Sequence, residues 1–274
     1  MGYTLGFIGC GNMAEAILSG LRGGQMEMES IYGCDLLAER CALFAGMGAE
    51  ILTLEAMMQK TDRLVLAIKP LQSLDILHKC AAHWREGQSL LSIVAGLNCA
   101  TMESILGEVP LVRVMPNTPS LQGEGMSGIC AGQFAGFEDI AFAEQLFGVL
   151  GQTVKLEETM MDALTAVSGS GPAYFFLVAE AFIAAAEELG FSTSSATEMV
   201  LQVMRGSLAM LSAGGDSPEQ LRKKVSSPGG TTVAAIEQLE HYRLREAFRA
   251  ALQTAEQRSK EISGQLAYNA NLKE

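Results

Sequence analysis

The sequence has little positive charge and no cluster of basic residues. Of its 274 residues, 19 are Lys or Arg and 31 are Asp or Glu, which gives a formal net charge of -12 at pH 7. Nucleic acids and anionic membranes select basic surfaces, so we expect neither as a partner. An anionic small molecule would have to be held by local hydrogen-bond donors rather than by the overall charge of the protein.

The cysteine and histidine spacings of metal sites are also missing. The six cysteines never form a C-x-x-C pair, and His78, His83 and His241 lie outside every motif described below. Zinc sites and disulfide frameworks have characteristic cysteine spacings. We therefore expect no metal, interpret the cysteines as small buried apolar side chains and expect the histidines to be structural or solvated.

Neither a signal peptide nor a membrane span is predicted. The N-terminal residues carry no positive segment and run directly into a predicted strand, so we expect a cytoplasmic protein. The longest apolar run, Pro172 to Ala186, is interrupted by Glu180 and is shorter than the ~20 residues that a span requires. We interpret this run as a buried helix.

Strand patterns occupy only the first part of the sequence. Short β-branched runs alternate with helical segments there, which predicts an α/β fold with a doubly wound, mostly parallel sheet. From about Thr159 onward only helical patterns remain, which predicts an all-α region. The predicted strands are 6–8, 30–34, 64–68, 90–94, 111–115, 128–131 and 153–156, and the later helices are 160–190, 194–212, 217–224, 231–240 and 242–263.

A glycine-rich motif follows the first predicted strand. Gly9-Cys10-Gly11-Asn12-Met13-Ala14 has the pattern GxGxxA, and the acidic residue Asp35 ends the next strand. The motif alone is weak, but between a strand and a helix, with an acid about 20 residues later, it is typical of a Rossmann unit that binds a dinucleotide. Gly9 would make the tight turn, Gly11 would admit the pyrophosphate to the helix N-terminus, and Ala14 would allow close packing.

The choice between NADPH and NADH stays open. Asp35 would accept a hydrogen bond from a ribose 2'-hydroxyl and repel a 2'-phosphate, whereas Arg40 is close enough in sequence to compensate.

Three later strand ends are further candidates for the same site: Ala67-Ile68-Lys69-Pro70, Val94-Ala95-Gly96 and Met115-Pro116-Asn117-Thr118-Pro119. Asn117 could pair with the nicotinamide carboxamide. Alternatively, these segments are ordinary loops and Lys69 is a solvated charge.

Two segments of the second part are unusual for a helical region. Ser227-Pro228-Gly229-Gly230-Thr231-Thr232 opens a predicted helix, and its glycine pair could expose consecutive N–H groups to a carboxylate. An ordinary helix N-cap is the alternative. Ser168-Gly169-Ser170-Gly171-Pro172 interrupts a helical pattern. It is either a kink at which Ser170 faces a ligand or a close helix crossing.

Taken together, these segments resemble the pyrroline-5-carboxylate reductases. The resemblance rests on residues 6–17, 67–70, 112–119, 168–174 and 227–232, which stand in the family's order and cover nearly the whole chain. It implies reduction of 1-pyrroline-5-carboxylate to L-proline by NADPH or NADH. It also implies a Rossmann domain, predicted at residues 1–158, joined to a helical substrate-binding and dimerisation domain at residues 159–274.

The resemblance also implies roles for individual residues. With those derived above, the cofactor candidates are Ile8, Gly9, Cys10, Gly11, Asn12, Met13, Ala14, Asp35, Ala67, Ile68, Lys69, Pro70, Ile93, Val94, Ala95 and Asn117. The substrate candidates are Ser227, Gly229, Gly230, Thr231, Thr232 and Ser170. Thr232 is the candidate catalytic residue, because its hydroxyl could orient the imine nitrogen or relay a proton to it.

Two departures from the family pattern concern only the cofactor. Leu36 stands where members often carry Arg, which weakens the case for a 2'-phosphate clamp, and Leu54 stands where many carry Asn.

Since the helix after Pro172 is apolar on most faces, we also expect a homodimer with interleaved helices, or a larger homo-oligomer.

Two other functions fit the sequence less well. A 3-hydroxyacid dehydrogenase of the β-hydroxyacid family would need a lysine in the helical region, and none occurs between Thr159 and Gln220. A non-catalytic nucleotide sensor would have no need of a second anion site.

Overall fold

The computed structural model describes residues 2–26 and 28–272. The two predicted domains also include positions 1, 27, 273 and 274, which lie outside the described residues. The chain forms two compact units, Met1–Ser170 with Thr254–Glu274, and Gly171–Gln253. The predicted division at residues 158 and 159 therefore does not coincide with the division by packing. The end of the chain belongs to the first unit because Leu266 and Ala270 are buried in its core.

One eight-stranded sheet forms the centre of the first unit. Its strands are β1 Tyr3–Ile8, β2 Met28–Cys34, β3 Glu50–Ile51, β4 Arg63–Leu66, β5 Ser89–Ser92, β6 Leu111–Met115, β7 Gly125–Ala131 and β8 Gly151–Lys155. Their order is β3-β2-β1-β4-β5-β6-β7-β8, with β6 and β7 antiparallel and the other neighbouring pairs parallel. The predicted mostly parallel sheet is confirmed, and the short edge strand β3 is an addition to it.

The central strands are buried on both faces. Every residue of β4 and β5 is buried, as expected for strands covered by helices on two sides. Leu64 and Leu66 belong to one cluster of apolar side chains, whereas Val65 belongs to another. Because successive side chains of a strand point to opposite faces, one cluster lies on each face of the sheet.

The α-helices of the first unit before residue 171 connect these strands or follow them. They are α1 Asn12–Gly20, α2 Ala38–Gly46, α3 Leu54–Lys60, α4 Pro70–Ala81, α5 Cys99–Leu106, α6 Phe137–Gly148 and α7 Met161–Leu164. Thr53 and Asn98 are the N-cap residues of α3 and α5, and their side chains accept hydrogen bonds from the N–H groups of Ala56 and Thr101. Two π-helical turns, Leu21–Gln25 and Thr165–Gly169, follow α1 and α7.

The second unit is all-helical, as predicted. Its helices are α8 Gly171–Glu188, α9 Thr193–Ser212, α10 Pro218–Lys224, α11 Thr231–His241 and the first part of α12, Leu244–Asn271. Ser192 and Ser217 cap α9 and α10, and Ser217 forms a capping box with Gln220. The prediction ended the last helix at Ser263, whereas α12 continues to Asn271.

The prediction that the apolar run after Pro172 is buried is wrong for the single chain. Within α8, all of which is described, only Gly171 and Ala186 are buried. Phe175 and Phe176 are 64% and 68% exposed. The segment Glu158–Glu188 has the length and hydropathy of a membrane span, and 11% of an apolar 18-residue stretch within it is buried. Hydropathy identified the apolar side chains, but it does not say what covers them.

Candidate active site

The ends of three neighbouring strands bring the predicted cofactor residues together. The N–H of Gly9 donates to the carbonyl of Cys34 at 2.8 Å, and that of Ala67 donates to Ile8 at 2.8 Å. The N–H of Ile93 donates to Leu66 at 3.0 Å. These bonds continue the parallel pairing past the strands. The loops 9–14, 67–70 and 93–95 therefore lie side by side at the carboxyl edge, where ligands of open α/β sheets bind.

Gly9 and Gly11 are required for different reasons. Gly9 has a φ of +95°, and a Cβ there would lie 2.5 Å from the carbonyl oxygen of Ala67. Its own conformation and the neighbouring loop thus both require glycine. At Gly11, by contrast, the nearest described atom to an added Cβ is the Ala67 oxygen at 4.0 Å. Protein packing leaves space above Gly11, which fits its predicted contact with the pyrophosphate.

The N-terminus of α1 faces this space with unused donors. Gly11 is the N-cap residue, and no side chain among residues 2–26 and 28–272 caps it. The first intrahelical bond runs from the N–H of Glu15 to Gly11 at 2.9 Å, so the N–H groups of Asn12, Met13 and Ala14 precede the intrahelical bonds. Such donors, together with the helix dipole, suit a phosphate anion. The residues present therefore fit a dinucleotide.

Asp35 and Arg40 both form hydrogen bonds with the glycine loop. The Asp35 carboxylate accepts hydrogen bonds from the N–H of Cys10 at 2.7 Å and of Leu37 at 2.9 Å. Arg40 donates to the carbonyl of Cys10 at 2.6 Å and forms an ion pair with Glu15 at 2.9 Å. Because Arg40 already has an anionic partner, the compensation that it could offer a 2'-phosphate is weakened.

Cys10 is a neutral residue of this loop. Burial, followed by the negative charge of Asp35, raises the pKa of the Cys10 thiol from 9.0 to about 12. The thiol therefore stays protonated at neutral pH, and it is fully buried. Cys10 contributes packing and backbone groups rather than a nucleophile. The prediction that all six cysteines are buried is confirmed for Cys10, Cys80, Cys99 and Cys130 but is wrong for Cys34 and Cys41, which are half-buried.

Asn117 has protein partners for both ends of its amide. Its Nδ2 donates to the carbonyl oxygen and to the hydroxyl of Ser168, each at 3.2 Å, and its Oδ1 accepts from the N–H of Met126 at 2.9 Å. The side chain thereby joins the loop after β6 to the π-helical turn Thr165–Gly169. Its suggested contact with nicotinamide stays a prediction, and Ser168, the residue that anchors it, was missed.

Ser170 lies at the end of that π-helical turn. The N–H of Ser170 donates to the carbonyl of Thr165 at 2.9 Å, a bond of the π-helical i to i+5 type. A Cβ at Gly169 would lie 2.9 Å from the methyl carbon of Met115, so the turn packs against the end of β6. Close packing thus explains Gly169. Ser170 itself is half-buried, and its contact with a ligand stays a prediction.

The loop before α11 has one donor fewer than predicted. Gly229 has a φ of +73°, which favours glycine, and an added Cβ there would meet open space. The N–H of Gly230, however, already donates to the carbonyl of Ser227 at 2.9 Å. The prediction that the amides of both glycines are open to a carboxylate is therefore wrong for Gly230, because a tight turn uses its N–H.

The open donors of this loop lie in the first turn of α11. Gly230 is the N-cap without a side-chain cap from any described residue, and its carbonyl accepts the first intrahelical bond from Ala234 at 3.3 Å. The N–H groups of Thr231, Thr232 and Val233 precede the intrahelical bonds. Thr231 is exposed and Thr232 is half-buried. Three consecutive amides and two hydroxyls are thus available for an anion.

The cofactor candidates and most substrate candidates belong to different compact units. All predicted cofactor residues and Ser170 lie in Met1–Ser170, whereas Ser227 to Thr232 lie in Gly171–Gln253. Each set is locally well formed. The predicted approach of the substrate to the nicotinamide stays a prediction.

The C-terminal part of α12 is a further neighbour of the cofactor loops. Gly96 has a φ of +76°, and a Cβ there would lie 2.7 Å from Cγ2 of Ile262. Asp162 of α7 accepts hydrogen bonds from the hydroxyls of Ser259 at 2.6 Å and Ser263 at 3.3 Å. This contact was not predicted from the sequence. Its only sign was the glycine that follows the strand end at Val94 and Ala95.

Comparisons with known proteins agree with this geometry. Residues 158–262 match the family described as pyrroline-5-carboxylate reductase dimerisation. Residues 4–96 match the family described as NADP oxidoreductase, coenzyme F420-dependent. The first match covers the helical region, and the second covers the glycine loop and the first strands of the sheet.

Several relatives match along almost the whole chain. A pyrroline-5-carboxylate reductase of Pseudomonas aeruginosa is 38% identical over 96% of this chain and 97% of its own. One from Pisum sativum is 34% identical over 95% of this chain and 96% of its own. The solved structure of the Coxiella burnetii enzyme, 33% identical, covers 96% of this chain and 99% of its own with a TM-score of 0.88. A Plasmodium falciparum enzyme solved with NADP bound, 28% identical, covers 95% and 98% with a TM-score of 0.86. The resemblance seen in the sequence is confirmed, and this chain belongs to the pyrroline-5-carboxylate reductase family.

Proposed function

We propose that this protein reduces 1-pyrroline-5-carboxylate to L-proline with NADPH or NADH as the hydride donor. The observation that carries this function is the match to pyrroline-5-carboxylate reductases over almost the whole length of both chains. The Rossmann fold alone would support only dinucleotide binding, because this fold serves many reactions. The β-hydroxyacid alternative is not favoured, since the relatives along the full chain are reductases of the imine.

The first unit would bind the cofactor. The N–H groups of Asn12, Met13 and Ala14 would hold the pyrophosphate, and Gly11 would leave the space it needs. The loops that begin at Ala67 and Ile93 would line the rest of the dinucleotide. The bound cofactor supplies the hydride, while the protein fixes the position of the reacting carbon.

The first turn of α11 would bind the substrate carboxylate. The N–H groups of Thr231, Thr232 and Val233 could each donate to it, and a charge-assisted hydrogen bond contributes about 1.5–3 kcal/mol. Two or three such bonds would orient a small ring. This arrangement also explains how a protein with a net charge of -12 can hold an anion without a lysine.

The chemistry needs one hydride and one proton. The hydride adds to the carbon of the C=N bond, the π electrons move to nitrogen, and the proton ends on that nitrogen. Protonation of the imine makes the carbon more electrophilic before the hydride arrives. We assign Thr232 to a hydrogen bond with the nitrogen, because a threonine hydroxyl is a weak acid and is better suited to orientation than to proton donation.

A spectroscopic assay tests the proposed function. Purified protein is mixed with NADPH or NADH and either 1-pyrroline-5-carboxylate or no substrate. In a separate assay it is mixed with the oxidised cofactor and a 3-hydroxyacid. We expect loss of absorbance at the reduced-nicotinamide band only with the imine, with formation of an equal amount of proline. Turnover of the hydroxyacid alone would instead support the β-hydroxyacid alternative, and cofactor binding without any turnover would support a sensor.

The helical unit would assemble with a second copy of the chain. Its exposed apolar side chains include Phe175, Phe176 and Phe182 of α8 and Leu208 and Met210 of α9. The family match over residues 158–262 carries dimerisation in its description. We assign these faces to a homodimer with interleaved helices, and larger homo-oligomers could be built from it. A light-scattering mass equal to one chain at micromolar concentration would overturn this assembly.

A further inference from the structure

Two cysteines and a glutamate from separate parts of the chain meet in the sheet unit. Cys99 begins α5, Cys130 lies near the end of β7, and Glu158 follows β8. One ligand atom of each residue, two Sγ atoms and a carboxylate oxygen, lie within 4.8 Å of one another. The Cys130 thiol donates to Oε2 of Glu158 at 3.4 Å, and the N–H of Cys99 donates to the same oxygen at 3.4 Å.

Burial makes this group different from a surface cluster of polar residues. Cys99 is 6% exposed and Cys130 is 3% exposed, whereas the Glu158 side chain is 35% exposed. The two thiols are therefore enclosed, and Glu158 is the member of the group that is partly exposed to solvent. A small ion could enter there without unfolding the sheet.

Arg113 holds the carboxylate in place from the other side. Its Nη1 forms an ion pair with Oε1 of Glu158, and β6 and β7 place Arg113 directly opposite Cys130. The Arg113 side chain is 3% exposed, and its Nη2 has no hydrogen-bond partner in the part of the chain that the structure describes. One oxygen of Glu158 is thus fixed by the guanidinium, while the other faces the thiols, as in metal sites whose ligands have an orienting partner.

We propose that Cys99, Cys130 and Glu158 form a binding site for a thiophilic divalent cation such as Zn²⁺. The ligands would be the two Sγ atoms and Oε2 of Glu158. Zinc takes sulfur ligands at about 2.3 Å and carboxylate oxygen at about 2.0–2.2 Å, so ligand atoms already gathered in one place need only small rotations. A fourth position would be left for a water molecule.

The charge of the group is the same with the ion as without it. Before binding, two neutral thiols accompany the negative Glu158 and the positive Arg113, which sum to zero. Binding one divalent cation releases two thiol protons, and two thiolates, Glu158, the cation and Arg113 again sum to zero. Because no net charge is added to a buried place, the usual penalty for burying an ion is reduced.

The donor atoms also select the kind of cation. Mg²⁺ and Ca²⁺ prefer sets of oxygen ligands, whereas two sulfurs and one oxygen suit Zn²⁺ and other cations that bind thiolate. The site is distinct from the proposed cofactor and substrate residues. We therefore expect occupancy to stabilise the fold of the sheet unit rather than to supply a catalytic group.

A cobalt titration of the whole, metal-free protein tests the site. Co²⁺ replaces Zn²⁺ in such sites, and thiolate coordination to it gives a near-ultraviolet charge-transfer band. With thiols kept reduced by a phosphine, we expect this band to saturate at one ion per chain, to disappear when Zn²⁺ is added, and to accompany release of two protons per ion. Native mass spectrometry should find a mass increase of one zinc less two protons per chain.

Substitutions separate this site from the other cysteines. Cys99→Ser and Cys130→Ser should each abolish the band, whereas Cys80→Ser, which changes another buried free thiol, should leave it intact. Absence of the band in wild-type protein with six free thiols would overturn the proposal. So would an unchanged band in Cys99→Ser, or zinc binding without proton release. The mass measurement needs no variant, so a folding defect in one of them does not remove the test.

Discussion

The two compact units differ in where their apolar side chains find partners. In the sheet unit, β4 and β5 are buried at every position and two apolar clusters fill both faces of the sheet. In the helical unit, α10 and α11, both fully described, contain no buried residue, and α8 contains two. The first unit completes its core within one chain. The second buries few side chains within one chain, among them Ala196 and Val200 of α9, and leaves large apolar faces for another chain to cover.

The largest effect should come from placing a charge on the uncovered face. Phe176 of α8 is 68% exposed in the single chain, and our assignment buries it between two copies. A carboxylate in an apolar interface costs several kcal/mol, so Phe176→Asp should raise the dissociation constant of the oligomer about 10³-fold, or about 4 kcal/mol. Sedimentation over a range of concentrations measures this change.

The control for that substitution comes from the other unit. Phe137 at the start of α6 is 84% exposed, so Phe137→Asp should leave the oligomer intact. Equal masses for wild type and Phe176→Asp at every concentration would remove α8 from the interface and end the contrast between the two units.

The glycine loop offers a paired test inside the sheet unit. Gly9→Ala should destabilise the fold and prevent cofactor binding, because its φ of +95° alone costs about 1–3 kcal/mol and its Cβ would clash with Ala67. Gly11→Ala should keep the thermal stability and lose affinity for the dinucleotide about tenfold or more, since only the ligand would meet the new methyl group. Thermal melts and fluorescence titration with NADH separate the two effects.

Two results would contradict the expected difference between Gly9→Ala and Gly11→Ala. If Gly11→Ala bound the cofactor as tightly as wild type, the space above that residue would not be the pyrophosphate site. Stable, tightly binding Gly9→Ala would mean that the loop after β4 does not constrain the glycine loop.

Thr232 tests whether the exposed turn of the helical unit takes part in the reaction. We expect Thr232→Ala to reduce kcat about tenfold, as for the loss of one hydrogen bond of about 1.4 kcal/mol. Thr232→Ser, which keeps the hydroxyl, should retain most of the activity. A loss of about 10²- to 10⁴-fold would instead make Thr232 the proton donor. Unchanged kinetics in Thr232→Ala would remove it from the site.

Asp35 tests the choice of cofactor within the sheet unit. Asp35→Asn keeps an oxygen that can accept from the N–H of Cys10 or Leu37, but it removes the charge that repels a 2'-phosphate. We expect the ratio of kcat/KM for NADPH over NADH to rise about tenfold. Glu39→Gln, an acidic residue in the first turn of α2, is the matched control and should leave the ratio within about twofold of wild type.

Alkaline pH should affect the sheet unit through its buried thiols. Burial raises the pKa of Cys80 from 9.0 to about 12, so the folded state keeps a proton that the unfolded state loses. Stability should therefore fall as pH rises from about 9 to about 12, by at most about 1.4 kcal/mol per pH unit for each such thiol. Cys80→Ala should melt at a lower temperature but with a shallower decline of Tm over that range. An unchanged slope would contradict the role of this thiol.

Local patterns were enough to predict most elements and the glycine turn that follows β1. The strand, glycine turn and helix from Leu5 to Arg22 are encoded by neighbouring residues, and so is the acid that ends β2. The edge strand β3 has only two residues, too few for a periodic signal. α12 continues past Ser263 because Leu266 and Ala270 find a buried place that only the folded sheet provides.

The details that sequence missed depend on contacts between distant residues. The N–H of Gly230 is used by a turn whose geometry no composition rule reveals. Ser168, which accepts from the amide of Asn117, lies 51 positions further along the chain. The thiols of Cys99 and Cys130 follow no metal-binding spacing, and only the packing of α5 against the sheet brings them to Glu158. These features belong to tertiary structure rather than to local pattern.

The helix α12 has a consequence for how the polypeptide matures. Its 28 residues start in the helical unit and end in the core beside the sheet, so the sheet unit is discontinuous along the chain. A ribosome that has released the first 170 residues has not yet supplied Leu266 and Ala270. The sheet unit can therefore reach its final packing only after the last turns of α12 have emerged. Because the unit consists of two separate segments, no single truncation of the chain would produce it complete.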